Sequence, residues 1–583
     1  MLRVFSCSLA SLCVLSAWAS SNGQEPLKFG FVPSAADWAS LNSTVGGRLF
    51  EGVPFAQPCY TRGFNSTECL AVRASYLDEV ARTESPGAYI QTQWETCQTV
   101  KDDQCLLDSI DPNVREPVLQ SRQCKLGSVP EYFIDIQSAE DVAAAFQFVR
   151  RTRVPLVIKN TGHDYKGRSS VPHSLALWTH NLKKISYDPE FVPEGCSQSK
   201  PGVTFGAGVQ WGEAYPFAEA HNITIVGGSD RSVGVVGGWL QGGGHGALSN
   251  TMGLGVDRVL QYKVVTPDGQ YRIANDCQNE DLFYALRGGG GGTFGVVLEA
   301  TVLASPQVTL QTVIVSFTPN TVRTQELWNI LADNGLKWAE EGWGGFSTSG
   351  IAILINPGST KEDAAKSMDP LIQFGKRLQS EGVEGASTIV TEFPSWGTFF
   401  NAFTKDHVAV VGSSLALASR LISKDNFKTS SDRSALVSAL LAADAATPGL
   451  IILISAPSSF PSTGKTSVTD AWRSSLYHIT VVSPWNWNAT IEEKRDHYVA
   501  ASKSIDHLRK ITPDAAYLNE ADVYEPNHQV AFWGQHYPEL LRLKAKFDPD
   551  HLLDCWQCVG WTPKSSRYSC YFELSEPIIH EEL

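Results

Sequence analysis

The segment "YFIDIQSAEDVAAAFQFVRRTRVPLVIKN" at residues 132–160 changes its hydrophobic period twice. An apolar opening gives way to Val142, Phe146 and Val149 at helical spacing, and these give way to an apolar run that stops at Asn160. The pattern predicts a strand, a helix over residues 139–151 capped by Ser138, and a second, buried strand over 154–158. Such α/β patterning continues through a glycine-rich stretch to about residue 304. From 308 to about 455, helical patterns such as "EDAAKSMDPLIQFGKRL" alternate with apolar strands such as "GIAILIN" and "LIILISA", which predicts a second unit of sheet plus helices. The expected class is α+β, with an irregular, cysteine-bearing N-terminal extension over 20–122, an α/β unit over 123–307, a sheet-and-helix unit over 308–510 and a C-terminal segment over 511–583.

At 583 residues the chain exceeds one ordinary core, and 43% hydrophobic content is that of a folded protein. A formal charge of −14 argues against a nucleic-acid backbone or an anionic lipid surface as partner. Residues 1–19, with Arg3, an apolar core and small residues at Ala17 and Ala19, read as a secretory signal peptide, and no later run is apolar enough to span a bilayer. Of the 12 cysteines, Cys7 and Cys13 leave with the signal and ten remain, as disulfides in an oxidising compartment require. Sequons at Asn42, Asn65, Asn222 and Asn488 point the same way, so the expectation is a secreted, N-glycosylated monomer. Cys59, Cys69, Cys97, Cys105 and Cys124 are expected to staple the extension, and Cys555 and Cys558 to form a structural disulfide. No metal site is expected.

Four glycine-rich segments fall between residues 160 and 295: "NTGHDYKG", "VGGSDRSVGVVGGWLQGGGHG", "GLGVDRV" and "LRGGGGGTFGVV". Glycine is costly to order, and successive bare amides in turns make concave anion sites suited to a pyrophosphate. A dinucleotide is therefore the leading ligand. The runs at 242–247 and 290–295 satisfy the loose nicotinamide fingerprint, but neither sits in a clean strand–turn–helix unit with an acid about 20 residues on. An exported redox enzyme does better with a cofactor tied to the protein. His163, between Gly162 and Asp164, is placed to bond the dimethylbenzene edge of a flavin while neighbouring amides hold its phosphates.

Five stretches carry a resemblance: "VIKNTGHDYKGRSS", "VTFGAGVQWGEAY", "GGWLQGGGHG", "DLFYALRGGGGGTFGVV" and "YLNEADVYEPNHQVAFWGQHYPELLRLKAKFDPDHLLDC". Together they resemble the vanillyl-alcohol-oxidase (p-cresol methylhydroxylase) flavoproteins, their berberine-bridge-enzyme-like members, and among these the fungal secreted isoamyl-alcohol-oxidase-like forms. The likeness spans roughly residues 123–304 and 511–560. It implies a two-part PCMH-type FAD-binding domain and a substrate domain whose sheet covers the flavin. It implies FAD contacts from Lys159, Asn160, Thr161, Gly162, His163 and Asp164, from Gly237, Gly238, Gly242, Gly243, Gly244, His245 and Gly246, and from Gly295, Val296, Tyr517 and Asn519. His163 matches the histidine that relatives link to the flavin's 8α methyl. Many relatives add a cysteinyl link, but no cysteine lies between Cys196 and Cys277, so a single link is expected.

The implied chemistry is hydride transfer from a small-molecule C–H bond, an alcohol or a fungal natural product, to FAD, with dioxygen as electron acceptor. Tyr517 and His478 are the candidate bases, with Glu392 a third. His245 reads as a cofactor contact or packing residue, Asp257 and Arg258 as a turn-bracing pair, and Trp533, Trp556 and Trp561 as core. The alternatives are a nicotinamide-dependent dehydrogenase and an inactive flavoprotein scaffold.

Overall fold

Ser138 caps the helix Ala139–Thr152 through a reciprocal pair with Asp141, and Arg153 ends it in the left-handed conformation at φ 61°. This helix buries Val142, Phe146 and Val149 against a four-stranded sheet in the order Leu49–Glu51, Tyr132–Asp135, Leu175–Trp178, Leu156–Lys159. The last three strands are parallel, as a crossover helix requires. The protein is seen here as a computed structural model describing residues 33–119, 122–403, 410–462 and 464–573. The expected signal peptide lies outside the described residues.

Beside this unit lies a five-stranded antiparallel sheet in the order Ile185–Phe191, Lys200–Gly206, Val296–Leu303, Val259–Val265, Tyr271–Ala274. The next part of the chain builds a seven-stranded antiparallel sheet, edged by Ser387–Phe393 and by Ser414–Ser423, with Ser475–Trp485 next to the latter. Helices Thr321–Glu340, Ser430–Ala446 and Ile491–Arg509 join the core of this sheet. Its strands Ser414–Ser423 and Ser475–Trp485 are buried along nearly their whole length, polar residues such as Arg420 and His478 included. "EDAAKSMDPLIQFGKRL" forms two helices, Lys361–Ser367 and Asp369–Ser380; the second starts with proline in its first turn, where a missing N–H costs nothing. Among the described residues no helix is long and apolar enough to cross a membrane.

A buried charge network anchors the returning C-terminal segment. Arg420, on the sheet, meets Asp514 and Glu525, and Arg509, at the end of its helix, meets Asp522 and the same Glu525. Both guanidinium groups are fully buried, so each depends on its carboxylates, and loss of one partner leaves an uncompensated charge. The turn carrying Tyr517, Leu518 and Asn519 is thereby fixed between two charged clamps.

The cysteines correct the picture of a self-contained extension. Cys59 pairs with Cys69 and Cys105 with Cys124, but Cys97 pairs with Cys570 near the other end of the chain. Gln93 exchanges hydrogen bonds with the backbone of Leu415, and Trp94 joins the core of the seven-stranded sheet. The N-terminal segment is part of the body. Cys555–Cys558 and Cys196–Cys277 complete the set. The paired substitutions Cys97→Ser and Cys570→Ser are expected to lower unfolding free energy by about 2–5 kcal/mol, because that bridge closes the longest loop. Equilibrium denaturation against the unaltered protein reads it, and an unchanged midpoint refutes it.

Candidate active site

A cleft opens where strand Leu156–Lys159 ends. The chain leaves that strand at Asn160, whose Nδ2 donates to Thr179 Oγ1 (3.0 Å) and to the Ala207 carbonyl (2.5 Å). The facing wall comes so near that a Cβ at Gly234 would lie 1.9 Å from Asn160 Oδ1, and one at Gly237 2.9 Å from its Cγ. Only glycine fits there. Asp164 braces the next turn by accepting from the Ser169 backbone N–H (2.7 Å) and hydroxyl (2.9 Å). Gly291 and Gly292 close the floor, and the far end reaches Asp554 and Cys555.

His163 stands in the wall of this cleft. Its Nε2 lies 2.6 Å from Ser232 Oγ and 3.8 Å from Asp230 Oδ1. Burial pulls its pKa below the ordinary histidine value, against the opposing pull of the Asp230 and Glu79 charges, so the neutral ring prevails near neutrality.

A second constellation is built by residues far apart in sequence. Glu520 accepts from His478 Nε2 at 2.9 Å and from His245 Nε2 at 3.2 Å. Trp472 and Tyr517 pack their rings around the two imidazoles. Burial keeps His478 neutral by lowering its pKa; Glu520 is held ionised, the two histidines offsetting its desolvation. Among the described residues this trio is also the one group of histidine, cysteine or carboxylate side chains close enough to hold a metal ion, with ligand atoms within 4.8 Å of one another. Tyr517 Oη receives Asn519 Nδ2 (2.6 Å) and the Gly244 N–H (3.3 Å). Burial, and then the Glu520 charge, raise its pKa, so the phenol stays protonated and is poorly set up as a base. Asn519 also donates to the Gly238 carbonyl (2.7 Å) and accepts from Arg168 (3.1 Å), which joins this constellation to the cleft.

Of the residues singled out from the sequence, Asn160, Thr161, Gly162, His163, Asp164, Gly237, Gly238 and Gly295 line the cleft. Lys159 does not: its ammonium turns away and donates to the carbonyls of Ser85, Pro86 and Ala88, tying the N-terminal segment down. Val296 faces the core behind the cleft. Gly242, Gly243 and Gly244 lie under Asn519, Tyr517 and Trp239, and Gly246 abuts the Gly227 carbonyl, so this run serves close packing behind the wall. His245 is a partner of Glu520 and not part of the cleft lining. Glu392 is exposed on an edge strand, where it accepts from Gln311. Asp257 pairs with Arg473 through two bonds of 2.7 Å, while Arg258 turns to Ser305 and the Leu303 carbonyl, so these neighbours do not brace each other. Trp533 and Trp556 are core, with their indole N–H groups on the carbonyls of Gly288 and Val523; Trp561 packs partly buried against the same core.

Sequence reasoning missed Arg168, Gln241, Ser232, Asp230 and Glu520. Arg168 alone carried a readable signal, a cation among glycine and serines in the first glycine segment. Glu520 stands 42 positions from His478, a separation no local pattern encodes.

Residues 130–275 match the family described as FAD binding domain, and residues 516–559 the family described as berberine and berberine like. The chain is 37% identical over 573 residues to the FAD-linked oxidoreductase ffsJ of Aspergillus flavipes, spanning 90% of this chain and 92% of that protein. The crystal structure of the VAO-type flavoprotein MtVAO615 from Myceliophthora thermophila C1 matches with a TM-score of 0.80 at 28% identity, over 91% of this chain and 95% of that one. At 20% identity and a TM-score of 0.59, over 74% and 91%, the glucooligosaccharide oxidase of Acremonium strictum, described with a 6-S-cysteinyl, 8α-N1-histidyl FAD, shares the fold. FAD thus displaces the nicotinamide alternative.

The residues present fit that cofactor. Asn160 Oδ1, Arg168 Nη1 and Gln241 Oε1 are buried on residues of the cleft wall with no partner in the protein, and a flavin dinucleotide brings the donors and the phosphate oxygens they lack. Arg168→Met in a His163→Ala background is expected to weaken reversible FAD binding about 10- to 100-fold, the worth of one charge-assisted hydrogen bond. Fluorescence titration with FAD reads it, and an unchanged Kd removes Arg168 from the cofactor site.

Proposed function

We propose that this chain, which belongs to the berberine-bridge-enzyme-like FAD-linked oxidoreductases of the vanillyl-alcohol-oxidase type, is a secreted oxidase. It takes a hydride from an alcohol or natural-product C–H bond and passes the electrons to dioxygen, giving hydrogen peroxide. The observation that carries this reading is His163 in a glycine-walled cleft alongside three orphaned polar atoms. FAD, when bound, supplies the hydride acceptor. One covalent link, through His163, holds it; Cys196 and Cys277, the cysteines that flank the second glycine segment, are bonded to each other. Secretion is supported by five disulfides and by the exposed positions of the sequon residues Asn65, Asn222 and Asn488.

His478 is the proton acceptor. Glu520 holds the Nε2 proton, which leaves the lone pair on Nδ1, a buried nitrogen with no partner in the protein. A proton taken there makes an imidazolium that the Glu520 carboxylate stabilises, while His245 fixes the carboxylate from its other side. Tyr517 and Asn519 orient the wall through their bonds to Gly244 and Gly238.

The purified protein is expected to stay yellow through acid precipitation and to fluoresce in a denaturing gel, and His163→Ala to release its flavin. Pigment lost from the unaltered protein on denaturation would sink the covalent reading. A peroxide-coupled screen across alcohols, sugars and phenols identifies the substrate; no flavin reduction across that panel would favour the inactive scaffold.

Protonation of His478 removes the acceptor, and burial places that event below the ordinary value of 6.5. The rate of flavin reduction is therefore expected to be flat near neutrality and to fall on the acid side. His478→Gln is expected to lower it about 10²- to 10⁴-fold and erase that limb. Dialysis against a chelator is expected to leave the rate unchanged; a loss restored by a divalent cation would reassign the trio as metal ligands.

A further inference from the structure

His163 does not stand on its turn alone. Ser232, wholly buried, gives its hydroxyl proton to Asp230 Oδ1 at 2.8 Å, and its backbone N–H reaches the same oxygen at 2.9 Å. A serine hydroxyl has one proton, and a carboxylate can only accept. The oxygen 2.6 Å from His163 Nε2 must therefore receive a hydrogen bond from it. That fixes the imidazole as the Nε2–H tautomer, with its lone pair on Nδ1. The turn is rigid: Gln210 donates to the Ser232 carbonyl at 2.7 Å, the Gly212 N–H to the Arg231 carbonyl at 2.7 Å, and Arg231 pairs with Glu79.

We propose that Ser232 and Asp230 are positioning residues for cofactor attachment, a relay that makes Nδ1 of His163 the nucleophile and stabilises the charge that bonding creates on the ring. The inference rests on His163 carrying the flavin. The bond formed joins Nδ1 to the 8α carbon, and the bond broken is a C–H of that methyl group. The methyl carbon gives up a proton, the flavin ring takes the electron pair, and dioxygen then removes that pair. Bonding at Nδ1 leaves the imidazole ring with a positive charge, and the ring sheds the proton on Nε2 through Ser232 toward Asp230. Two hydrogens leave in all, one from the methyl and one from the imidazole, and appear as hydrogen peroxide.

The relay explains a feature that packing alone does not. An acid placed 3.8 Å from a buried histidine, with a serine hydroxyl between them, is ordered at both ends and adds no apolar contact. Apart from His163 itself, the ionisable groups of this corner include Asp230, Glu79 and the Arg231 paired with it, Asp78 beside that arginine, and the buried Tyr165, whose phenol burial and the Asp230 charge help keep protonated, so the shift of the midpoint in Asp230→Asn is what assigns the response to the relay.

The test compares the full-length protein with Asp230→Asn, Ser232→Ala, Ser232→Thr and His163→Ala, each expressed in parallel and scored for the fraction of flavin surviving denaturation. Asp230→Asn and Ser232→Ala are expected to lower the rate of linkage roughly 10-fold or more, the usual cost of losing an orienting partner, and to retain FAD reversibly. Ser232→Thr, which keeps the hydroxyl, is expected to restore it. The linkage rate is expected to rise with pH through the His163 titration in the unaltered protein, and the midpoint to move in Asp230→Asn. Peptide analysis of the flavinylated segment is expected to place the bond on Nδ1. Linkage at the unaltered rate in both relay variants, or a bond on Nε2, overturns the relay while leaving covalent attachment intact. Flavin still bonded after His163→Ala overturns instead the reading on which the relay rests.

Discussion

The site depends on two backbone segments, some 75 positions apart in the chain, meeting at a distance that excludes any side chain on one of them. Asn160 turns its amide into the gap, and Gly234 and Gly237 are the only residue type that lets the opposite wall reach it. Everything on that wall inherits its position from this contact. Ser232 lies two residues before Gly234 and meets His163; Gly238 follows Gly237 and meets Asn519. A methyl group at either glycine would push the serine from the histidine and the cleft from the C-terminal turn together.

Around that contact the protein spends charge where a smaller fold would use apolar packing. Lys159, Lys544, Arg420 and Arg509 are all buried, and each is surrounded by acceptors from other parts of the chain. Lys544 reaches the Thr293 and Leu553 carbonyls and Asp548, tying the fourth glycine segment to the tail. A buried cation with three partners tolerates no slippage, because any lost partner leaves it unsatisfied. The fold gains registration from these clamps, and the active site, assembled from segments near residues 163, 232, 291, 478 and 519, needs registration more than added stability.

Much of the fold was legible. The change of period over residues 132–160 located strand, helix and strand, since capping and 3.6-residue spacing are local properties; the helix was read one residue short. The apolar runs "GIAILIN" and "LIILISA" were likewise visible and form strands Ile351–Asn356 and Ile451–Ile454, because a short, mostly buried apolar run needs no partner to reveal it. Hydrogen-bond partners were less accessible. Asp257 sits beside Arg258 and is bonded to Arg473, and Cys97 sits among four other cysteines and is bonded to Cys570. Nearness in sequence misled in both cases, since a pairing is chosen by where whole elements pack.

The same division holds at the site. Residue type and spacing by themselves pointed to a dinucleotide against bare backbone near His163, for glycine enrichment and a histidine in a turn are written in the order of the residues. The resemblance then supplied which dinucleotide. Only the folded chain decided that Lys159 turns away from the cleft to the N-terminal segment, that His245 serves Glu520, that Tyr517 keeps its proton, and that Ser232 stands between His163 and Asp230. Those assignments depend on side-chain direction and on a dielectric set by burial, and both exist only after distant segments have closed around one another.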